Sequence, residues 1–527
     1  MPVSTAMVMD RPSRLFTDYN WIILTLLALM AWAPLTYPGF IQTHSGYLPI
    51  YHAADMARAA EPWGWTPSSG QAFDPWRSDG RVPFLLAALA IRAGMSGAAA
   101  VRLALACGLV LGSWGMYAWV RRFLSPPAAL LAAVVYTFLP WVLVTAYVRG
   151  ALGEVWIYGL APWALWGTSR ASARAAWIAT AATAALLLWS QAGLAIYALI
   201  MIGLMQLSVD RGRPTLAALS ALAAGAVVGM IGLIPWLRQA AAGANPDFGQ
   251  HFLYLYQLLL SVWGNGASRP GWQDEMPFQS GVLALCLALL ALLGGRPAAD
   301  QPPASRAAFR FALLATGVLA ALTLGWSAPL WQLSGASRLL NYPWQLLTIV
   351  GPWVSLAAGA ASDRLPLLRA WSRAGILAGL VIVASYPYLD VKFTPPPPAP
   401  QPVAILGENQ IALVDARVEG EMRASGTLTV TLTWQALRPI DLDYTVFIHA
   451  VDDQGQIVAQ RDKQPQDDQH PTNTWREGEI IIDRHPLALP ATGAAPVAIH
   501  LGLYDWRTGQ RLRVGESDFV RLDLHGP

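Results

Sequence analysis

Thr394-Pro395-Pro396-Pro397-Pro398-Ala399-Pro400-Gln401-Pro402 divides the 527-residue chain into two stretches built for different solvents. Consecutive prolines favour an extended polyproline helix of about 3.1 Å per residue, so this stretch reads as a semi-rigid spacer of roughly 25 Å. Residues 1–390 hold 23 Arg, no Lys and 14 acids, roughly 9% charge; residues 391–527 hold 12 basic and 18 acidic residues, roughly 22%. Soluble domains carry about 25% charge. The first part therefore suits lipid and the second water. Over the whole chain, 55% hydrophobic and 13% charged residues exclude a soluble one-piece enzyme. The two cysteines, Cys107 and Cys286, both lie in apolar runs, which excludes a disulfide scaffold.

Upstream of the spacer, apolar runs of about 20 residues predict eleven transmembrane helices. They fall near 20–38, 98–120, 127–147, 153–169, 175–190, 192–209, 215–237, 278–295, 308–326, 343–361 and 373–389. The first lacks a clear small-residue cleavage site and reads as a retained anchor rather than a signal peptide. Residues 83–94 are too short to span, carry Arg92 and read as an interfacial helix.

Arginine sets the expected sidedness, because cytoplasmic loops retain positive charge. With Arg11 and Arg14 inside, alternate connections carry Arg121 and Arg122; Arg170 and Arg174; Arg211 and Arg213; Arg296, Arg306 and Arg310; and Arg364, Arg369 and Arg373. The long connections 39–97 and 238–277 then face outward, and an odd number of spans places the C-terminus outside. The expected organisation is a transmembrane domain over 1–390, a Pro-rich linker over 391–402 and an extracytoplasmic domain over 403–527.

Downstream of the spacer the period changes to two. Thr427-Leu428-Thr429-Val430-Thr431-Leu432-Thr433-Trp434 alternates as a half-buried strand must. Further strands are expected at 444–451, 480–483, 497–504 and 519–524, with turns at Asp452–Gly455 and Arg507–Gln510. Seven or eight short strands predict an antiparallel β-sandwich. Trp434, Trp475 and Trp506 read either as core filling or as a sugar-stacking platform, and large rings favour the core. The tail histidines show no metal-ligand spacing.

The predicted spans are almost free of charge at mid-depth, unlike an ion-coupled transporter. Acids and histidines gather instead on the expected outer side: His44, His52, Asp55, Glu61, Asp74 and Asp79 in the first loop, Glu154 at a helix start, and Asp247, His251, Asp274 and Glu275 in the 238–277 loop, with Arg149, Arg269 and Arg338. Individually these suit solvated loops. Together they suit a reaction between a water-facing acceptor and a donor held in the membrane by a lipid phosphate. Arginine would grip phosphate oxygens and a carboxylate would deprotonate the acceptor hydroxyl. In Tyr147-Val148-Arg149-Gly150-Ala151-Leu152-Gly153-Glu154 the two glycines permit a tight turn, and Glu154 falls in the first turn of the next helix. Arg149 and Glu154 are close enough to pair, pinning the loop, or to face one substrate.

YVRGALGE (147–154), followed by an apolar span containing Pro162, resembles the polytopic bacterial membrane proteins misleadingly called the 6-pyruvoyl-tetrahydropterin synthase related family. That family is placed with the GT-C superfamily of polyprenol-phosphate-sugar-dependent glycosyltransferases. Thr43-His44 with His52, Trp189-Ser190-Gln191, Trp263-Gly264 to Phe278-Gln279, and Asn341-Tyr342-Pro343-Trp344 extend the likeness over most of 20–390. In the tail, TWQAL (433–437), DYTVFIHAVDDQG (443–455), PTNTW (471–475) and GLYDWRTGQRL (502–512) resemble a β-sandwich appended to such proteins in Chloroflexi-type bacteria. The resemblance implies a GT-C-like bundle, an outer-face active site and a lipid-linked sugar donor. It also implies an acidic residue directly after the histidine of the first outer loop, where this chain has Ser45. Asp55, Asp79 or Glu154 must substitute as base, or the protein is silent.

The leading expectation is a membrane glycosyltransferase acting from a polyprenyl-phosphate-linked sugar onto an extracytoplasmic glycan, lipid or protein acceptor. Asp55, His44 and Glu154 form its expected catalytic set. Arg149, Arg338, His52, Asp79, Asp274 and Glu275 are expected to hold donor or substrate, with a divalent metal ion left open as cofactor. A non-catalytic scaffold docking a glycan or protein through its sandwich, and a lipid or glycan flippase, are the alternatives. No Walker motif, dinucleotide fingerprint or basic-aromatic surface points to a nucleotide or nucleic acid.

Overall fold

The computed structural model describes residues 19–37, 39–59, 76–210, 212–237, 245, 247–260, 263–294, 302–394, 402–420, 425–475, 479–492 and 495–524. Arg11, Arg14, Glu61, Asp74, Arg211, Arg296 and spacer residues 395–401 lie outside them. The chain divides into two compact units, 1–396 and 397–527.

The first unit is helical. Its helices are α1 (Asn20–Trp32), α2 (Leu48–Arg58), α3 (Arg81–Arg92), α4 (Gly97–Val120), α5 (Pro126–Thr137), α6 (Pro140–Val144), α7 (Leu152–Thr168) and α8 (Arg174–Ser190). They continue as α9 (Ala192–Val209), α10 (Arg213–Leu237), α11 (Leu255–Leu259), α12 (Val282–Leu293), α13 (Pro303–Leu322), α14 (Ala328–Ser334), α15 (Leu347–Arg364) and α16 (Trp371–Ser385). A helix lies in each of the eleven apolar segments. Among the described residues seven helices are long and apolar enough to cross a membrane, and Asn20–Thr36 and Val282–Leu293 are shorter apolar helices. At 1.5 Å per residue the 24-residue α4 reaches about 36 Å, more than the roughly 30 Å hydrocarbon layer.

The segments Pro126–Arg149 and Pro343–Arg364 are buried over all but their ends, so they form the centre of the bundle. Around them α10, α13 and α16 turn Val227, Ile231, Leu314, Val318, Ile376 and Val383 outward. An apolar exterior over a packed interior is what lipid requires of a membrane protein.

The two ends of the bundle differ. At one, Arg122 pairs with Asp210 at 2.6 Å and Asp363 accepts the Ser125 backbone N–H at 2.9 Å, joining three of the arginine-bearing connections. At the other lie the loops after α1, α3's approach, the turn between α6 and α7, and residues 245–280. There β1 (Phe40–Ile41) pairs antiparallel with β2 (Phe393–Thr394), and Tyr47 Oη meets Thr394 Oγ1 at 2.9 Å. The chain thus leaves the helical unit at the same end as its first long loop.

The second unit is a sandwich of two four-stranded antiparallel sheets. Its strands are β3 (Ala404–Leu406), β4 (Ile411–Gly420), β5 (Thr427–Ala436), β6 (Thr445–Val451), β7 (Ile457–Lys463), β8 (Ile480–Ala488), β9 (Ala498–Tyr504) and β10 (Val520–Asp523). The sheet orders are β3-β4-β5-β8 and β10-β9-β6-β7. In β5, Leu428, Val430, Leu432 and Trp434 point inward while the threonines between them stay at least partly exposed. Trp434 and Trp475 belong to the core and Trp506 is exposed, so the three do not form one platform. The turn at Asp452–Gly455 closes on the Asp452 carboxylate, which accepts the N–H groups of Gln454 and Gln456 at 3.0 and 2.8 Å.

Candidate active site at one end of the bundle

After α6 the chain makes one wide helical turn, Thr145–Arg149, which Gly150 ends at φ +64°. A side chain there is strained by the left-handed backbone and would also collide with Thr43. The turn aims Arg149 back at the start of α7. Its Nη1 and Nη2 donate to Glu154 Oε2 and Oε1, both at 2.6 Å, a bidentate pair with Glu154 only 2% exposed. Gln345 Nε2 donates to Oε1 at 2.6 Å and Thr348 Oγ1 to Oε2 at 3.1 Å. The guanidinium lies over the rings of Trp344 and Trp141, 4.7 and 5.6 Å from their centres. Motif residues nearly 200 positions apart, YVRGALGE and NYPW, therefore form one polar cluster.

Asp79 joins them from the first loop. Its Oδ2 accepts the N–H of Leu152 at 3.1 Å and its Oδ1 that of Gly153 at 2.9 Å, capping α7 where the helix leaves backbone donors unpaired. Gly153 is required by that approach: a Cβ would sit 2.7 Å from Asp79 Oδ1 and collide with the Ser190 carbonyl. The loop is held by WSQ and NYPW, since Gly80 N–H donates to Ser190 O at 2.7 Å and Asn341 Nδ2 to Arg77 O at 3.2 Å. Burial pushes the Asp79 carboxyl up to about 7; the Gly153 N–H opposes the rise, Glu154 adds to it and Arg149 opposes it.

The other long loop closes the site. His44 Nε2 meets Asn265 O at 3.1 Å, and the His44 N–H donates to Val148 O at 2.8 Å. Ser45 Oγ donates to Arg149 O at 2.9 Å, so this serine anchors the arginine's backbone. Ser268 Oγ donates to Asp274 Oδ2 at 3.0 Å and meets His251 Nδ1 at 2.9 Å. With the hydroxyl proton on the carboxylate side, Nδ1 is the protonated nitrogen and Nε2 keeps its lone pair. Rings then lead from His251 to Tyr342 (4.6 Å) and from Tyr342 to Trp344 (4.8 Å), beside Arg149. Burial pushes His44 and His251 below the usual histidine range and Asp274 above the usual carboxylate range. Trp344 Nε1 and Thr43 Oγ1 are buried without a protein partner beside this cluster.

The structure thus brings His44, Asp79, Arg149, Glu154 and Asp274 together. Asp55 lies farther along α2, half-buried and near His52, whose pKa burial lowers; the His52 ring stands edge-on to Phe84 at 5.3 Å. Arg338 is exposed on the loop before Asn341 and carries no ion pair among the described residues. Glu275 is exposed and lies 3.4 Å from Arg269. Gln345, Thr348, Ser268 and Trp344 were not among the expected site residues; the NYPW motif pointed to the neighbourhood of Gln345 and Trp344, and nothing local marked Ser268.

Among the described residues no three His, Cys, Asp or Glu side chains gather as a metal site. Each Glu154 oxygen accepts two hydrogen bonds, one from Arg149 and one from Gln345 or Thr348. With Glu154 so engaged, the cluster does not offer the set of oxygen ligands that a resident divalent ion needs.

No family model and no curated protein matches this chain. Solved structures match in part. ArnT from Cupriavidus metallidurans bound to undecaprenyl phosphate is 17% identical, with a TM-score of 0.40 over 70% of this chain and 64% of that one. ArnT in the apo state is 18% identical, with a TM-score of 0.44 over 69% and 63%. The arabinofuranosyltransferase AftD from mycobacteria is 17% identical, with a TM-score of 0.40 over 72% of this chain and 27% of that one, and its R1389S mutant is 18% identical, at 0.42 over 72% and 28%. The chain spans less than two thirds of each, and at TM-scores below 0.5 none of these likenesses carries an argument about activity.

Proposed function

We propose that this protein is a membrane glycosyltransferase that moves a sugar from a polyprenyl-phosphate carrier to an extracytoplasmic glycan, lipid or protein. In this reading the N-terminus is cytoplasmic, and the site and the β-sandwich face outward. The observation that carries it is the convergence of Asp79, Arg149, Glu154, His44 and Asp274 at one end of an apolar bundle, on the motifs that resemble the GT-C-like family.

The acceptor hydroxyl oxygen attacks the anomeric carbon while the bond from that carbon to the phosphate oxygen breaks. The bonding pair leaves with polyprenyl phosphate and the hydroxyl proton passes to a carboxylate. Asp79 suits that role better than Asp55, because it lies in the cluster and its carboxyl sits near neutrality. Arg338, exposed and without an ion pair among the described residues, suits the lipid phosphate, and Arg149 orders the site through Glu154.

The scaffold reading has one observation in its favour: Glu154 is fully engaged by neighbours and Ser45 by the Arg149 carbonyl, as in a purely structural cluster. The test is transfer from a polyprenyl-phosphate sugar by the purified full chain in proteoliposomes, with Asp79→Asn and Asp55→Asn alongside. Transfer by the wild type that Asp79→Asn abolishes supports the enzyme. A well-folded wild type inactive across a broad donor and acceptor panel supports the scaffold.

A further inference from the structure

Beside the cluster, residues of 256–260 and 263–276 line a cavity of about 570 Å³, a size usual for small-ligand sites. Its wall combines the rings of Tyr256, Trp263 and Trp272 with the polar groups of Asn265, Asp274 and Glu275. Two extended runs, 264–266 and 274–276, lie against each other to shape it. A Cβ on Gly266 would collide with the Glu275 side chain and sit 2.7 Å from its Oε2, so this contact needs glycine. Tyr256 Oη donates to the Trp272 carbonyl, and Trp263 Nε1 donates to Asp390 O at 2.8 Å. The walls are therefore fixed, while the Trp272 ring is 62% exposed.

This lining has a chemical match. A pyranose offers an apolar C–H face, which suits a flat indole, and an edge of hydroxyls, which suits carboxylate and amide oxygens. Asp274 accepts Met276 N–H and Ser268 Oγ–H at 3.0 Å each and also the Arg269 backbone N–H, which leaves the carboxylate one lone pair for a hydroxyl donor. Asp274 makes the cavity unfavourable to phosphate, and Glu275 adds to this in part, its charge being offset by Arg269 at 3.4 Å. Asn265, on its wall, also meets His44 at 3.1 Å, so a sugar held here borders the candidate active site.

We propose that this cavity binds an uncharged sugar, as the acceptor subsite of the transfer proposed above. Its role as acceptor site rests on that reading; sugar binding does not. The experiment is saturation-transfer NMR on the full chain in lipid nanodiscs, with cellobiose, maltose and N,N′-diacetylchitobiose as probes and glucose 6-phosphate as the charged control. At least one neutral disaccharide should bind, and Trp272→Ala should weaken it at least tenfold, since an exposed ring can be removed without unfolding the loop. Glu275→Gln, which preserves shape and removes one negative charge, should shift the binding ratio from the neutral disaccharide toward glucose 6-phosphate. No signal from any neutral probe, unchanged binding in Trp272→Ala, or a phosphate sugar preferred by the wild type would overturn the proposal. Because transfer is not measured, a catalytically inert protein would leave this result intact.

Discussion

Asp79 Oδ1 accepts the backbone N–H of Gly153 at 2.9 Å, so a carboxylate from the first long loop caps the helix that carries Glu154. Two influences oppose each other there. The helix start favours the anion, while burial and nearby Glu154 favour the acid. Burial wins, and the carboxyl rises to about 7 from 3.8.

A base must be ionised to accept a proton, so transfer should rise as pH climbs through about 7 and level off above it. Asp79→Asn should lower the rate by at least about 100-fold and remove that limb of the profile. Asp55→Asn should leave it in place. The stability contribution runs the opposite way. A folded-state value above the unfolded one makes folding take up a proton, so this group's stabilising effect is greatest below about 4 and fades as pH approaches about 7. Rate and melting profiles of wild type and Asp79→Asn from pH 5 to 9 check both signs.

The Arg149–Glu154 pair is buried, so breaking it should cost more than its net worth. Arg149→Ala leaves Glu154 with only Gln345 and Thr348 and should destabilise the helical unit by about 3–5 kcal/mol. Replacing both partners by apolar residues of similar volume should recover part of that loss. Denaturant midpoints of the double variant and of each of its two single substitutions in detergent are the measurement; a double variant no better than the sum of the singles counts against a coupled pair.

Much of this site was legible in the sequence because its spacing is short. Arg149 and Glu154 are five apart across a glycine turn, close enough to pair or to face one substrate, and in the structure they pair. The Asp79 cap joins positions 74 apart, and the Ser268 link between His251 and Asp274 depends on how an irregular loop closes. Neither leaves a local pattern. The same holds in the tail. Thr427–Trp434 announces β5 by strict alternation, whereas β4 shifts register between Leu413 and Asp415, and the bulge breaks the period that would have revealed it. Helix positions were clearer than their membrane status, because length and hydropathy separate seven strong spans from shorter apolar helices.

Gly150 should tolerate no side chain. Gly150→Ala places a Cβ against Thr43 and forces a left-handed backbone on alanine, a strain of order 1–3 kcal/mol. The expected result is release of the first loop from the α6–α7 turn, read as faster cleavage near His44 by limited proteolysis. Thr43→Gly in the same chain removes the collision but not the backbone strain, so rescue should be partial. Full rescue would show that space alone matters.

The last prediction concerns the sandwich interior. Asp483 and His485 on β8 both point inward, are fully buried, and meet at 2.6 Å; Asp483 Oδ1 also accepts the Gln466 N–H at 2.8 Å. A carboxylate with two hydrogen-bond partners can be kept in a core, but losing either partner leaves a buried polar group unsatisfied. His485→Ala should therefore destabilise the second unit by about 1–3 kcal/mol, and Asp483→Ala by more, because it also releases the Gln466 loop. Residues 403–527 expressed alone are expected to fold, since the unit has its own core of Leu432, Trp434, Ile448 and Leu501. Circular dichroism should show a β spectrum and a cooperative melt, shifted down in both variants. A fragment without a cooperative melt would mean that the sandwich depends on the helical unit. A melt unmoved by Asp483→Ala would mean that the buried pair contributes nothing to its stability.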